Sequence, residues 1–193
     1  MSDLGPTAAV ILAAGGGSRF AESPEASGHK LLASWRGRPL VAWAVETAVE
    51  ADIGPVWVVT GAVDLTGVLP ADVTVLDNPA WAEGQATSLQ VAVSEAKRRG
   101  LAAIVVGLGD QPLLSVGAWR AVAAAPSPIA VATYDRRPRT PVRLGRDVWG
   151  ELPKTGDEGA RVLIRKRPDL VREVACNGNP ADIDTVEDLT RWS

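Results

Sequence analysis

Residues 8–13 form an apolar run that ends abruptly in Ala14 and three glycines, Gly15-Gly16-Gly17; Arg19 follows two residues on and Lys30 a short loop later. An apolar run of this length, bounded by turn residues, predicts a buried strand. The glycines let backbone N–H groups approach a ligand that a Cβ would keep away. Arg19 and Lys30 are the charges such a loop brings to phosphate oxygens. The chain is therefore expected to carry an anion-binding loop at the carboxyl end of its first strand, the ligand edge of an open α/β sheet.

Three kinds of Gly-rich loop compete for that position. A P-loop requires Gly-Lys-Ser/Thr, whereas Lys30 is preceded by Gly28-His29 and followed by Leu31. A dinucleotide fingerprint finds Gly15 and Gly17 but meets Phe20 at its third position, with Ala21 one residue too late. It also expects an acidic residue closing the second strand, where Thr60-Gly61 stands. A ligand-free turn is the third reading; three glycines with an arginine and a lysine are entropically costly for a mere connection.

The chain has 193 residues and a formal net charge of −3, which fits one domain spanning 1–193. No basic patch suggests nucleic acid. Apolar runs such as 101–106 are too short to span a bilayer. The opening Met1-Ser2-Asp3-Leu4-Gly5-Pro6 has no charged-then-apolar leader pattern. A single cysteine, Cys176, excludes an internal disulfide and a Cys-based zinc site. The cytoplasm is the expected location. Seven tryptophans stand against one tyrosine and one phenylalanine and are expected to pack the core and the helices.

Apolar strands alternate with amphipathic stretches along the chain. Strands are expected at 8–13, 56–60, 73–76, 103–107, 129–133, 142–144 and 170–174. Helices are expected at 39–51, 88–99, 115–124, 146–151, 158–167 and 185–192. Such interleaving predicts a three-layer α/β fold, a mainly parallel twisted sheet covered on both faces. Segments 22–29 and 134–140, polar and rich in Gly, Ser, Pro or Arg, are expected to be the mobile loops.

After the fourth strand comes Gly107-Leu108-Gly109-Asp110-Gln111-Pro112. Asp110 at a strand's carboxyl end is a natural ligand for Mg²⁺, which takes one or two carboxylates together with phosphate oxygens and water. The competing reading makes it a cap for the helix near Ser115. Asp182-Ile183-Asp184-Thr185 lies near the other end, where alternation puts Asp182 and Asp184 on one side. Thr185 and Asp188 also suit a capping box, and both readings can hold together. Between these lie Asp77-Asn78-Pro79 with Trp81-Ala82-Glu83-Gly84-Gln85-Ala86-Thr87-Ser88, a loop entering a helix, and Gly156-Asp157-Glu158-Gly159, an acidic helix start.

In order, Leu12-Ala13-Ala14-Gly15 with Gly17, Arg19 and Lys30, then Trp81, Gly84 and Ser88, then Gly109-Asp110-Gln111-Pro112, Gly156-Asp157 with Gly159-Ala160-Arg161, and Asp182-Ile183-Asp184-Thr185, resemble the molybdopterin nucleotidyltransferase-like family from residue 8 to 189. Within it the chain is most similar to the molybdenum cofactor cytidylyltransferases. The resemblance implies a Rossmann-like, glycosyltransferase-A-like domain that transfers a nucleoside monophosphate from an NTP to a phosphorylated small molecule. It implies that Leu12, Ala13, Ala14 and Gly15 hold base and ribose through backbone contacts, with Gly16, Gly17, Asn78, Gly84, Ser88 and Gly109 also binding the nucleotide. Arg19 and Lys30 would hold the triphosphate, and Asp110 and Asp184 the Mg²⁺; Arg19, Lys30 and Asp110 are the implied catalytic groups. Ala14 and Gln111 lean toward cytosine, hence CTP, although Ala14 is shared with uridylyl and thymidylyl relatives. Thr140 stands where those cytidylyltransferases carry His before Pro-Val, within a loop holding Arg136, Arg137 and Arg139. Thr140, Asp157 and Gly159 are the implied acceptor contacts, and the arginines suit either an anionic acceptor or a solvated loop. A molybdoenzyme or its maturation factor is an implied partner.

Attack by a phosphate monoester, largely dianionic at neutral pH, needs no general base, so His29 is expected to be dispensable. Three other readings remain: a GTP-dependent guanylyltransferase on another small acceptor, as in deazaflavin cofactor assembly, a cofactor-delivery protein without turnover, and an oxidoreductase on the same fold.

Overall fold

The computed structural model describes residues 4–192; residues 1–3, which open the stretch read for a leader, and residue 193 lie outside it. In chain order the elements are β1 (Thr7–Leu12), α1 (Ser18–Ala21), β2 (Ser34–Trp35), β3 (Arg38–Pro39), α2 (Leu40–Glu50), β4 (Val56–Thr60), β5 (Thr74–Asp77), α3 (Gln85–Arg98), β6 (Ala103–Leu108), α4 (Val116–Ala123), β7 (Ile129–Tyr134), β8 (Arg137–Gly145), α5 (Ala160–Lys166), β9 (Val171–Ala175) and α6 (Val186–Arg191). Seven strands form one sheet in the order β5-β4-β1-β6-β8-β7-β9. β1 pairs in parallel with β4 on one side and β6 on the other, Val10 facing Trp57 and Val106. β8 runs antiparallel to both β6 and β7, so the sheet is mixed but mostly parallel.

All six residues of β1 are buried, as a strand covered on both faces requires. Alternation sends Ala8, Val10 and Leu12 toward α3 and α5, where they meet Leu89, Val93 and Leu163. Ala9 and Ile11 go to the other face, against Val41 and Val45 of α2 and Trp119 and Val122 of α4. Trp35, Trp57 and Trp119 are fully buried, as expected of core tryptophans; Trp81 is the exception, 36% exposed.

The structure corrects the expectation for residues 134–140. They belong to a hairpin, β7 and β8 joined through Asp135 and Arg136, both with positive φ, the backbone a two-residue hairpin turn demands. Its residues lack the usual Asn-Gly signal, and two prolines disguise the strand. β6 pairs with β8 only from Val142 to Gly145, so Pro138 falls on a stretch paired with β7 alone, where a missing N–H is tolerated, and Pro141 falls with Thr140 in the irregularity between the two registers. The register slip at Val131/Ala132 accommodates the change. Helix boundaries also move, α3 beginning at Gln85 rather than 88 and α5 at Ala160 rather than 158, while 146–151 keeps its bounds but is a 3-10 helix.

Candidate active site

The carboxyl ends of β1 and β6 deliver the Gly-rich loop and Asp110 side by side. The Gly109 N–H donates to the Leu12 carbonyl (3.0 Å), and a Cβ on Gly109 would lie 3.1 Å from that of Ala13. Gly109 is thus a close-approach residue that brings Asp110 to the loop. Ala13 N–H donates to Val59 O, and Ala14 O accepts from Ala62 N–H. These backbone groups of Leu12, Ala13 and Ala14 brace the strand ends, and the free loop begins at Gly15, whose α-carbon has open space beside it. Gly17 caps α1 with φ +64°; a Cβ there would be strained and would press on Lys30 Cβ at 3.2 Å. Trp81 packs its indole against Gly16 and Gly61.

Lys30 opens a 3-10 turn, Lys30–Leu32. Its ammonium lies 2.7 Å from Asp110 Oδ2 and 2.9 Å from Asp184 Oδ1, and Arg19 Nη1 lies 2.5 Å from Asp184 Oδ2. Burial works against the charge on Lys30, but Asp110 and then Asp184 outweigh it and hold its pKa above the ordinary lysine value. His29 Nδ1 accepts from Leu31 N–H (3.2 Å), so Nε2 carries the proton and donates to Gly15 O (3.0 Å). Burial lowers the His29 pKa; the bond to Gly15 opposes this and the Lys30 charge adds to it. His29 is thus a neutral brace between the lysine turn and the glycine loop, a part the sequence did not assign to it. The signal available was its place next to Lys30 as the chain's only histidine.

Asp110 does not cap a helix. Ser115 does that, its Oγ accepting from Ala118 N–H at 3.1 Å. At the other end of the chain both expectations coincide: Thr185 and Asp188 form a capping box, while Asp184 points to Lys30 and Arg19. Asp182 turns to Gln111, whose Nε2 donates to it at 2.7 Å and to Pro180 O at 3.1 Å. Burial, followed by the charge of Asp110, raises the Asp182 pKa above the usual carboxylate range.

Asp110 Oδ1 is buried without a hydrogen-bond partner, the orphan acceptor a cation would satisfy. Among the described residues no three His, Cys, Asp or Glu side chains converge as a metal cage. Two carboxylates and an orphan oxygen fit an ion that takes its other ligands from phosphate and water.

The carboxylates open onto a cavity of about 570 Å³ floored by Leu89, Val106, Val131, Val142 and Ile164. Arg19, Arg139, Arg161 and Arg165 also line it, with Thr140 and Asp157. Gly159 does not reach it by a side chain: with φ +51°, its α-carbon abuts Gln85, itself a lining residue. Asn78 and Ser88 lie deeper than the sequence suggested, 1% and 3% exposed. Asn78 Nδ2 donates to Thr87 Oγ1 and Ser88 Oγ, both at 2.9 Å, which anchors the start of α3. Gly84 has φ +107°, and a Cβ there would lie 2.4 Å from the Gly156 carbonyl carbon. Gly156 N–H donates to Glu83 O and Gly156 O accepts from Ala86 N–H, each at 2.9 Å. Two motifs remote in sequence are therefore one bonded unit beside the cavity.

A Gly-rich loop, two cations and two carboxylates at the carboxyl edge of such a sheet define the nucleotidyltransferase class of α/β proteins. The sequence matches the MobA-like NTP transferase domain over residues 9–172, and the chain belongs to that family. It is 32% identical over 206 residues to the nicotine blue oxidoreductase of Paenarthrobacter nicotinovorans, covering 98% of each chain. Its fold is similar to a nucleotidyl transferase of Methanothermobacter thermautotroptrophicus (25% identity, TM-score 0.80, 97% and 95% of the two chains). It is also similar to Rv0371c of Mycobacterium tuberculosis in complex with manganese (28% identity, TM-score 0.72, 96% and 97%).

Proposed function

We propose that the protein transfers CMP from CTP to a phosphorylated small-molecule acceptor, a molybdopterin-type cofactor being the favoured one, and releases pyrophosphate. The observation that carries this reading is the convergence of Lys30 and Arg19 on Asp110 and Asp184 at the junction of glycine loop and cavity. The family and the fold support transfer from an NTP; the lean to cytosine rests on the resemblance at Ala14 and Gln111, and the acceptor on the resemblance and the arginines of the cavity.

In the reaction an acceptor phosphate oxygen attacks the α-phosphorus of CTP, and the bond from that phosphorus to the bridging β-oxygen breaks. The products are a mixed diphosphate and pyrophosphate. Asp110 and Asp184 are the residues that would hold a divalent cation, Mg²⁺ or a similar ion, which supplies charge neutralisation at the phosphates. Gly15–Gly17 amides and the Arg19 and Lys30 side chains receive the polyphosphate and offset the charge that grows on the leaving group. The apolar floor positions the acceptor's body, and the arginines orient its anionic end. No side chain has to take a proton from an acceptor already dianionic. Among the described residues no helix is long and apolar enough to cross a membrane, in keeping with a cytoplasmic enzyme that hands its product to a molybdoenzyme or its maturation factor.

One observation favours a second reading. The 32% identical relative is named as an oxidoreductase, so this fold also serves redox chemistry. Hydride transfer has no need of two carboxylates neutralised by two cations, and the transferase reading is preferred on that ground. A thermal-shift panel of CTP, GTP, ATP, UTP and NADPH, each with and without Mg²⁺, separates the two, since a ligand of the folded state raises its melting temperature. A Mg²⁺-dependent shift led by CTP is expected. A shift led by GTP replaces the base, and a shift with NADPH alone replaces the reaction class.

A further inference from the structure

The proposed metal carboxylates already have a cation of their own. Lys30 Nζ bridges Asp110 Oδ2 and Asp184 Oδ1, and Arg19 takes Asp184 Oδ2. The four formal charges, two negative and two positive, cancel. Lys30 is not a surface lysine that drifts past: its side chain is 11% exposed, and its turn is tied to the glycine loop through His29. Only Asp110 Oδ1, the orphan, is left uncommitted.

A divalent ion entering alone must pull both carboxylates from Lys30 and leave a mostly buried ammonium beside a dication, an arrangement of like charges at short range. A nucleotide entering alone sets its polyphosphate against two carboxylates whose cations it must share. When both enter, the phosphates take Lys30 and Arg19, and the carboxylates turn to the metal. Every ion then regains a partner. The lysine stem is flexible enough for its head to change partners while the backbone stays in place.

We infer that Lys30 is the resident counter-ion of the metal site, so that metal and nucleotide bind cooperatively and each binds weakly alone. This rests on the nucleotidyl-transfer reading, because it needs a polyphosphate to receive the displaced lysine. By linkage, each ligand strengthens the other's binding by the same factor. The competing account is that Lys30 is only a tether holding the 182–184 segment to the loop.

The two accounts predict opposite signs for one variant. In Lys30→Met the carboxylates lose their counter-ion. Binding of Mn²⁺ alone to the purified chain, read from the free-ion EPR signal, should tighten by about tenfold or more. Wild type should bind CTP weakly in EDTA and about tenfold or more tightly with Mn²⁺, and Lys30→Met should lose most of that gain. Arg19→Met, at an exposed position, should shift Mn²⁺ affinity in the same direction by a smaller factor, and it carries the test if Lys30→Met fails to fold. Mn²⁺ affinity unchanged or weakened in both variants overturns the inference. If that happens while wild-type CTP binding still depends on the metal, the functional reading stands without it; if wild type binds CTP neither with Mn²⁺ nor without, both fall.

Discussion

The Ile183 amide donates to the Asp110 carbonyl over 2.9 Å, and its side chain is fully buried against Trp35 and Leu40. One apolar residue between two aspartates thus pins the far end of the chain to the β6 loop. Its neighbours Asp182 and Asp184 are left facing the cavity, and Asp184 is set beside Asp110 by backbone rather than by the lysine alone. That separation of anchoring from charge makes the carboxylates open to mutation without loss of the fold. Asp110→Asn and Asp184→Asn should each abolish nucleotidyl transfer and the metal-dependent part of the CTP melting shift, with the far-UV circular dichroism unchanged. Retained transfer in Asp110→Asn would remove it from the metal site.

Arg19 has a side chain 74% exposed, so its contribution to stability is small. Arg19→Gln should leave the urea midpoint within error of wild type while lowering turnover by roughly 10² to 10³, the usual effect of removing one preorganised charge donor. Steady-state kinetics of pyrophosphate release measures it. A loss confined to KM would make Arg19 a binding group with no share in the transition state.

His29 gives a pH signature. Its folded pKa lies below the ordinary 6.5, so between the two values the unfolded chain binds a proton that the folded chain refuses. The stability tied to neutral His29 is fully present above pH 6.5 and is lost as pH falls from there to the folded value. Urea titrations at several pH values should show a wild-type loss across that window that His29→Gln lacks; the difference between the two proteins isolates it from the carboxylates. At pH 7.5, His29→Ala should weaken Mg²⁺-dependent CTP binding by about five- to tenfold, one hydrogen bond's worth, because Gly15 loses the donor that fixes it. The sequence alone pointed to a silent substitution.

What the sequence conveyed and what it hid divide along physical lines. The buried first strand and the capping box at Thr185 were legible because each rests on local periodicity or on a short motif, whereas the gathering of Arg19, Lys30, Asp110 and Asp184 was implied by the family resemblance of the ordered motifs. The hairpin through Asp135 and Arg136 was hidden, since prolines in β8 read as a loop until the one-sided pairing is seen. The depth of Asn78 and Ser88 was hidden too: a polar residue before a helix looks alike whether it faces a ligand or a buried neighbour. Nothing local joins Gly84 to Gly156, 72 residues apart; only the positive φ and the close backbone approach reveal why glycine stands there.

Gly84→Ala puts that contact to the test. The new Cβ must sit at φ +107°, 2.4 Å from the Gly156 carbonyl carbon and 2.5 Å from its oxygen; the Asp157 carboxylate can swing aside, but these backbone atoms cannot. Backbone strain of about 1–3 kcal/mol adds to the clash, so a loss of about 3 kcal/mol or more in urea unfolding is expected. Because Gly156 is displaced, acceptor KM should rise more than nucleotide KM. A variant as stable as wild type would mean that the two loops are not bonded in solution.

Gln111 was read from the resemblance as a mark of cytosine preference, yet it is 2% exposed and its amide is committed at both ends. Oε1 accepts from Thr140 Oγ1, and Nε2 donates to Pro180 O and Asp182 Oδ1. A side chain so engaged ties Thr140 on β8 to the segment that carries Asp182 and Asp184. Gln111→Met should therefore keep the ranking of CTP over GTP in the melting panel and reduce the Mg²⁺ dependence of both shifts. It should cost about 1–3 kcal/mol in stability, since Asp182 and Thr140 lose a buried partner. Thr140→Val added to Gln111→Met should cost less than the sum of the single changes, as expected for two groups in one hydrogen-bonded pair. A reversal of the nucleotide ranking in Gln111→Met would show instead that the buried amide is exposed to the base when the nucleotide binds.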